Sequence, residues 1–143
     1  MPTLPARLRH AAVIALAALT LALTPATANA QTLELPGGKY DSPAAYLVGT
    51  WNWARDQPRE NMRIAFRADG TFLYENFITG LRHQGRYTAT TSRFALSIMR
   101  SCQGDGAGAR CEDRAPPIPV AYPFTPVNAG TFHSNHERWQ RAR

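Results

Sequence analysis

The sequence predicts an all-β domain: a small antiparallel up-and-down β-barrel of seven or eight short strands, following an export signal. Three observations carry this reading. Short runs of β-branched and aromatic residues recur between turn signals roughly 8 to 12 residues apart, the spacing of a sandwich or barrel. Several runs alternate apolar and polar side chains with period 2, and no helical period of useful length occurs. All six Phe, five Tyr and three Trp lie beyond residue 30, so the rings needed for a small core are concentrated where the strands are. With 143 residues the chain has room for one such domain.

Residues 1–30 read as a secretory signal peptide: Arg7, Arg9 and His10, an apolar run from Ala11 to Leu23, Pro25, and a small-residue end at Ala28-Asn29-Ala30. The run is about a dozen residues, short of the roughly 20 needed to span a bilayer. Cleavage after Ala30 is expected, with a periplasmic or secreted product and no transmembrane segment in the mature chain. An uncleaved anchor helix is the alternative, disfavoured by the adjoining cleavage site. Removing 30 of 143 residues leaves 113, and losing Arg7 and Arg9 takes the balance from +6 to +4. That modest charge, outside the cytoplasm, argues against nucleic acid as a partner.

Residues 31–46 form an extended lead-in punctuated by Pro36, Gly37 and Gly38, and residues 47–143 the barrel domain. Ser42-Pro43 opens one helical turn, serine as cap and proline at the first helical position. Strand one is Gly49 to Trp53, with Trp51 and Trp53 on one face. Met62 to Arg67 follows, Met62, Ile64 and Phe66 facing one way and Arg63 and Arg67 the other. Asp69-Gly70 is a strong hairpin signal because both residues tolerate positive φ. In Thr71 to Phe77 both faces carry apolar groups, although Phe72 and Tyr74 share one of them. Ile78 to Gln84 reads as a long turn and Gly85 to Thr90 as the next strand. Phe94, Leu96 and Ile98 make the clearest alternation in the chain. Ile118 to Phe124 alternates too, but Pro119 and Pro123 confine it to a sheet edge or bulge. Gly130 to His136 and Glu137 to Arg141 supply the last strand or two.

Cys102 and Cys111 are the two cysteines. In an exported chain a disulfide is the default, and it would clamp the glycine-rich loop between them, contributing about 2 to 3 kcal/mol in the chain-entropy model. The spacing is not Cys-x-x-Cys, which argues against a redox role.

Leu47-Val48-Gly49-Thr50-Trp51 resembles the Gly-x-Trp opening of lipocalin-like barrels. Ile64 to Phe72 is similar to the second and third strands of small bacterial members, Gly85-Arg86-Tyr87 with Phe94 to Ile98 to their middle strands, and Trp139-Gln140-Arg141 to their terminal strand. The resemblance implies that Trp51 crosses the barrel floor under a late arginine, Arg141 or Arg138, in a cation-π contact. It also implies ligand binding as the activity, in a barrel shorter than the ligand-carrying members. A second, partial resemblance is to periplasmic metalloprotease inhibitors of the same barrel type, in which a lead-in such as Thr32 to Pro36 enters the protease cleft. Their cysteines lie nearer the barrel's start.

The candidate ligand-binding residues are Trp51, Trp53, Phe72, Tyr74, Trp139 and Arg141. These rings either line an apolar pocket or fill the interior, as side chains do in small barrels; filling is favoured at this length. His133, His136 and Glu137 invite a metal reading, with His83 as a further ligand, but on a strand positions three apart point to opposite sides. Arg55, Arg59, Arg63 and Arg67 recur every four residues, yet Pro58 breaks a helix there. Arg63, Arg67 and Arg86 on neighbouring strands would form an anion-binding patch. Against that, only Lys39 of the 16 basic residues is lysine, a composition that points to an arginine-rich background. Glu75 sits among rings without a second acid, and no catalytic motif occurs. The expectation is an exported, monomeric, non-enzymatic module without cofactor, binding a small apolar or anionic ligand, with inhibition of a secreted protease through the lead-in as the alternative.

Overall fold

The computed structural model describes residues 31–53 and 61–143. The signal segment and Arg55, Arg59 and Pro58 lie outside the described residues. The chain is all-β and antiparallel. In order it forms β1 (Leu33–Leu35), β2 (Gly38–Tyr40), a short helix α1 (Pro43–Leu47), β3 (Gly49–Trp53), β4 (Met62–Phe66), β5 (Thr71–Asn76), β6 (Leu81–Ala89), β7 (Arg93–Gln103), β8 (Arg110–Pro123), β9 (Thr125–Asn128), β10 (Thr131–Ser134) and β11 (Glu137–Arg141). β1 and β2 pair with each other, and the other nine strands make one sheet in the order β8-β7-β6-β5-β4-β3-β11-β10-β9.

This sheet curls into a half-barrel. Its two edge strands, β8 and β9, are consecutive in the chain and joined through Phe124 alone, whose N–H donates to Ser92 O at 2.9 Å. The curl brings Phe94 of β7 within 6.2 Å of Phe132 of β10, ring to ring, although five strands, β6, β5, β4, β3 and β11, lie between them along the sheet. The period-2 alternation accounts for what lies inside. Phe94, Leu96 and Ile98 are buried on β7, Ile64 and Phe66 on β4, and Phe132 and Trp139 on β10 and β11.

The turns follow local chemistry. Ser42 caps α1, its hydroxyl accepting from Ala45 N at 3.0 Å. The β4–β5 connection uses Gly70 at φ 79°, while Asp69 Oδ1 accepts from Thr71 N at 2.9 Å. β10 and β11 turn through Asn135 and His136, at φ 49° and 65°, the paired positive values of a type I′ hairpin.

Three segments differ from the sequence expectation. The lead-in doubles back at Pro36-Gly37, with Gly37 at φ 87°, into the β1–β2 hairpin. Leu33, Leu35 and Tyr40 pack on the core, and Ala129 N donates to Pro36 O at 3.1 Å. β6 begins at Leu81 rather than Gly85, because β5 and β7 both offer it ladder partners from Leu81 onward. The sheet has nine strands because the proline-containing run bends at Phe124 and the last run folds into two strands. Cys102 and Cys111 face each other across β7 and β8 and are disulfide-bonded, with Cα atoms 4.0 Å apart.

Candidate functional site

The half-barrel has a sealed end and a hollow end. At the sealed end Trp51 is fully buried, and its indole N–H donates to Leu47 O at 2.7 Å. Arg141 covers it, with Cζ 4.2 Å from the ring centroid. The guanidinium also donates to Val48 O at 2.6 Å, Tyr46 O at 2.8 Å and Ala129 O at 3.1 Å, so it takes up carbonyls left free at the end of α1. Gly49 makes room: its φ is +131°, and a Cβ there would sit 2.5 Å from the guanidinium. Tyr46, also fully buried, places its hydroxyl 2.8 Å from Thr131 O, and burial pushes the phenol well above its ordinary range. The Trp51–Arg141 contact matches what the Gly-x-Trp resemblance implied.

At the other end a cavity of about 290 Å³ remains. Ile64, Leu96, Ile98 and Phe132 form its apolar wall. Tyr74, His83, Tyr122 and Trp139 add rings, and Ser134, Asn135 and Glu137 of the β10–β11 hairpin add polar groups. Tyr74 and His83 are paired across β5 and β6 and stack with centroids 5.9 Å apart. The Tyr74 hydroxyl donates to Met62 Sδ at 3.0 Å, a weak acceptor, and its pKa is raised chiefly by burial. His83 Nδ1 lies 3.0 Å from Ser101 Oγ. Burial, helped by the Arg114 charge, holds the imidazole below its ordinary value, so it is neutral near pH 7.

Of the six candidate binding residues, Tyr74 and Trp139 line the cavity. Trp53 pairs with Trp139 in register and is half-buried against the core. Trp51 and Phe72 are packed away, 0% and 1% exposed, and Arg141 belongs to the sealed end. The interior is therefore filled at one end and hollow at the other. Sequence reasoning assigned no small-molecule-binding role to Leu96, Ile98 or Glu137, the last weighed only with His133 and His136 for a metal. The alternation of β7 marked the first two as inward-facing, but nothing local distinguishes a residue facing space from one facing a ring.

Acids accompany the arginines of the expected basic patch. Arg63 donates to Glu75 Oε2 from Nε at 3.1 Å and from a terminal nitrogen at 2.7 Å, and leans over Phe77. Arg67 and Arg86 lie near Asp69, whose carboxyl is held below the usual range first by its hydrogen bonds from Thr71. Glu75 is thus an ion-pair partner on a sheet face. His133 and His136 are both exposed, one on β10 and one in the turn, and among the described residues no three His, Cys, Asp or Glu side chains gather as metal ligands. The chain matches no protein-family model, no curated protein and no solved structure.

Proposed function

We propose that this protein is an exported, non-enzymatic binding module of lipocalin-like type that holds a small, largely apolar molecule in the hollow end of its sheet. The cavity carries the reading: about 290 Å³ of ring- and aliphatic-lined space in a domain whose other end is packed shut. A cavity of roughly 150 Å³ accommodates one benzene ring, so this one has room for about twice that. The sealed end supports the same reading, because Trp51 under Arg141 is the arrangement that lipocalin-like barrels use to close their floor. Export rests on the sequence of residues 1–30, and a monomer on the absence of any need for a second copy to complete the cavity. The inhibitor alternative requires a free lead-in, whereas residues 33–40 lie as a hairpin against the sealed end; no placement favours it.

The test is methyl NMR with toluene as probe. Ile64, Leu96 and Ile98 methyl resonances are expected to shift on titration, and Leu96→Trp, which fills the cavity, is expected to abolish the shifts while β-sheet circular dichroism is retained. Unmoved methyl resonances in the wild-type protein would overturn the reading.

A further inference from the structure

Among the described residues, the cavity wall holds a single acidic side chain. Among the described lining residues Glu137 is the only acid and there is no Lys or Arg, while burial holds the His83 pKa below its ordinary value and the Tyr74 pKa above its own, so both are uncharged near neutral pH. Glu137 makes no ion pair or hydrogen bond among the described residues, in contrast to Glu34, Glu75 and Glu112, each of which holds an arginine or lysine. Arg114, whose charge helps lower the His83 pKa, is engaged by Glu112 at 3.0 Å. A chain with net charge +6 thus lines this cavity, among the described residues, with one acid and no Lys or Arg.

The neighbours of Glu137 suit a cation. Glu137 is directly opposite Ser134 in the β10–β11 ladder, and Asn135 follows in the turn, so a carboxylate, a hydroxyl and a carboxamide come from one tight hairpin. Together they supply acceptors for a donor-rich head such as an ammonium, which has several N–H groups and no acceptor. Trp139, two residues along the same strand and on the same face, lies parallel to Phe132 with centroids 6.0 Å apart. Rings beside a carboxylate are attractive surroundings for a cation and for the apolar body attached to it.

We infer, resting on the cavity reading above, that the ligand class is a protonated amine on a compact apolar body, with Glu137 as its counter-charge and the ring-lined space taking the body. An anionic ligand would meet Glu137 with no Lys or Arg among the described lining residues to offset it.

Calorimetric titration with three probes of the same ring and chain separates the possibilities: 2-phenylethylamine, 2-phenylethanol and 3-phenylpropanoate. The amine is expected to bind about tenfold tighter than the alcohol, and the acid more weakly than either. Glu137→Gln is expected to bring the amine to the alcohol's affinity while leaving the alcohol and the thermal midpoint unchanged. Equal affinities for amine and alcohol, a preference for the acid, or an amine preference that survives Glu137→Gln would overturn the amine inference and leave the cavity reading standing. Binding of none of the three would remove both.

Discussion

Gly49 shows how one residue joins three others. The motif Gly-x-Trp reads locally as a strand start, but its spacing reflects a contact with the far end of the chain. The left-handed φ of Gly49, and the absence of a Cβ, let Arg141 lie over Trp51 while reaching the carbonyls of Val48 and Tyr46. Gly49→Ala should therefore strain the backbone and displace the guanidinium at once. A loss of about 2 to 4 kcal/mol is expected, combining strain with weakened charged hydrogen bonds, measured as a lowered urea midpoint with unchanged slope. A midpoint within error of wild type would show that Arg141 has another resting place. The pairing of Trp51 with a terminal arginine was legible from the family-like motif, but which arginine was not. Arg138 and Arg141 differ in the parity of their strand positions, and only the register of β11 against β3, Arg141 opposite Trp51, decides between them.

At the scale of elements, the legible strands were those with a strong alternation or an unambiguous turn: β3, β4, β7 and the helical turn α1. β6 was read four residues short, because Leu81-Arg82-His83-Gln84 has no β-branched residue and its strand conformation comes from the ladders on both sides. That error concealed His83 from the cavity. The β1–β2 hairpin was missed for a similar reason, three residues per strand being too few for a pattern. The β7–β8 hairpin is the longest in the sheet, and the disulfide sits near its tip, next to the β5–β6 turn, with Gly104 N donating to Gly80 O at 3.1 Å. A Cys102→Ala/Cys111→Ala double variant is expected to lose about 2 to 3 kcal/mol and to gain fast amide exchange confined to residues near the tip. Exchange spreading into Phe94 to Ile98 would show instead that the bridge supports the core.

For the whole molecule, the partition of the interior into a sealed and a hollow end links the cavity to global stability. His83 makes this measurable. Its folded-state pKa lies below its ordinary 6.5 because burial and the Arg114 charge disfavour the imidazolium. As pH falls through about 6.5 the unfolded chain takes up a proton that the folded chain refuses, so stability is full above that value and declines below it, levelling once the folded imidazole is itself protonated. His83 is only partly buried, so the effect is small. Urea midpoints measured from about pH 7 to about pH 5 should fall more for wild type than for His83→Gln; parallel curves would mean that the imidazole is solvated in the fold. Fold class and inward faces were readable because they repeat along the chain. The cavity was not, because an unfilled volume depends on distances between strands that no local pattern encodes.

β8 has a further consequence, for encounters between molecules. As the long edge of an open sheet it would ordinarily offer a row of free backbone donors to any passing strand, the first step of intermolecular strand addition. Here Pro116, Pro117, Pro119 and Pro123 bring no backbone N–H to the strand, and the stretch before them carries Arg110, Glu112, Asp113 and Arg114. Since a proline edge cannot complete a ladder, and charges resist desolvation in a growing stack, the same residues that left β8 weakly patterned as a strand keep its outer rim from acting as a template for aggregation.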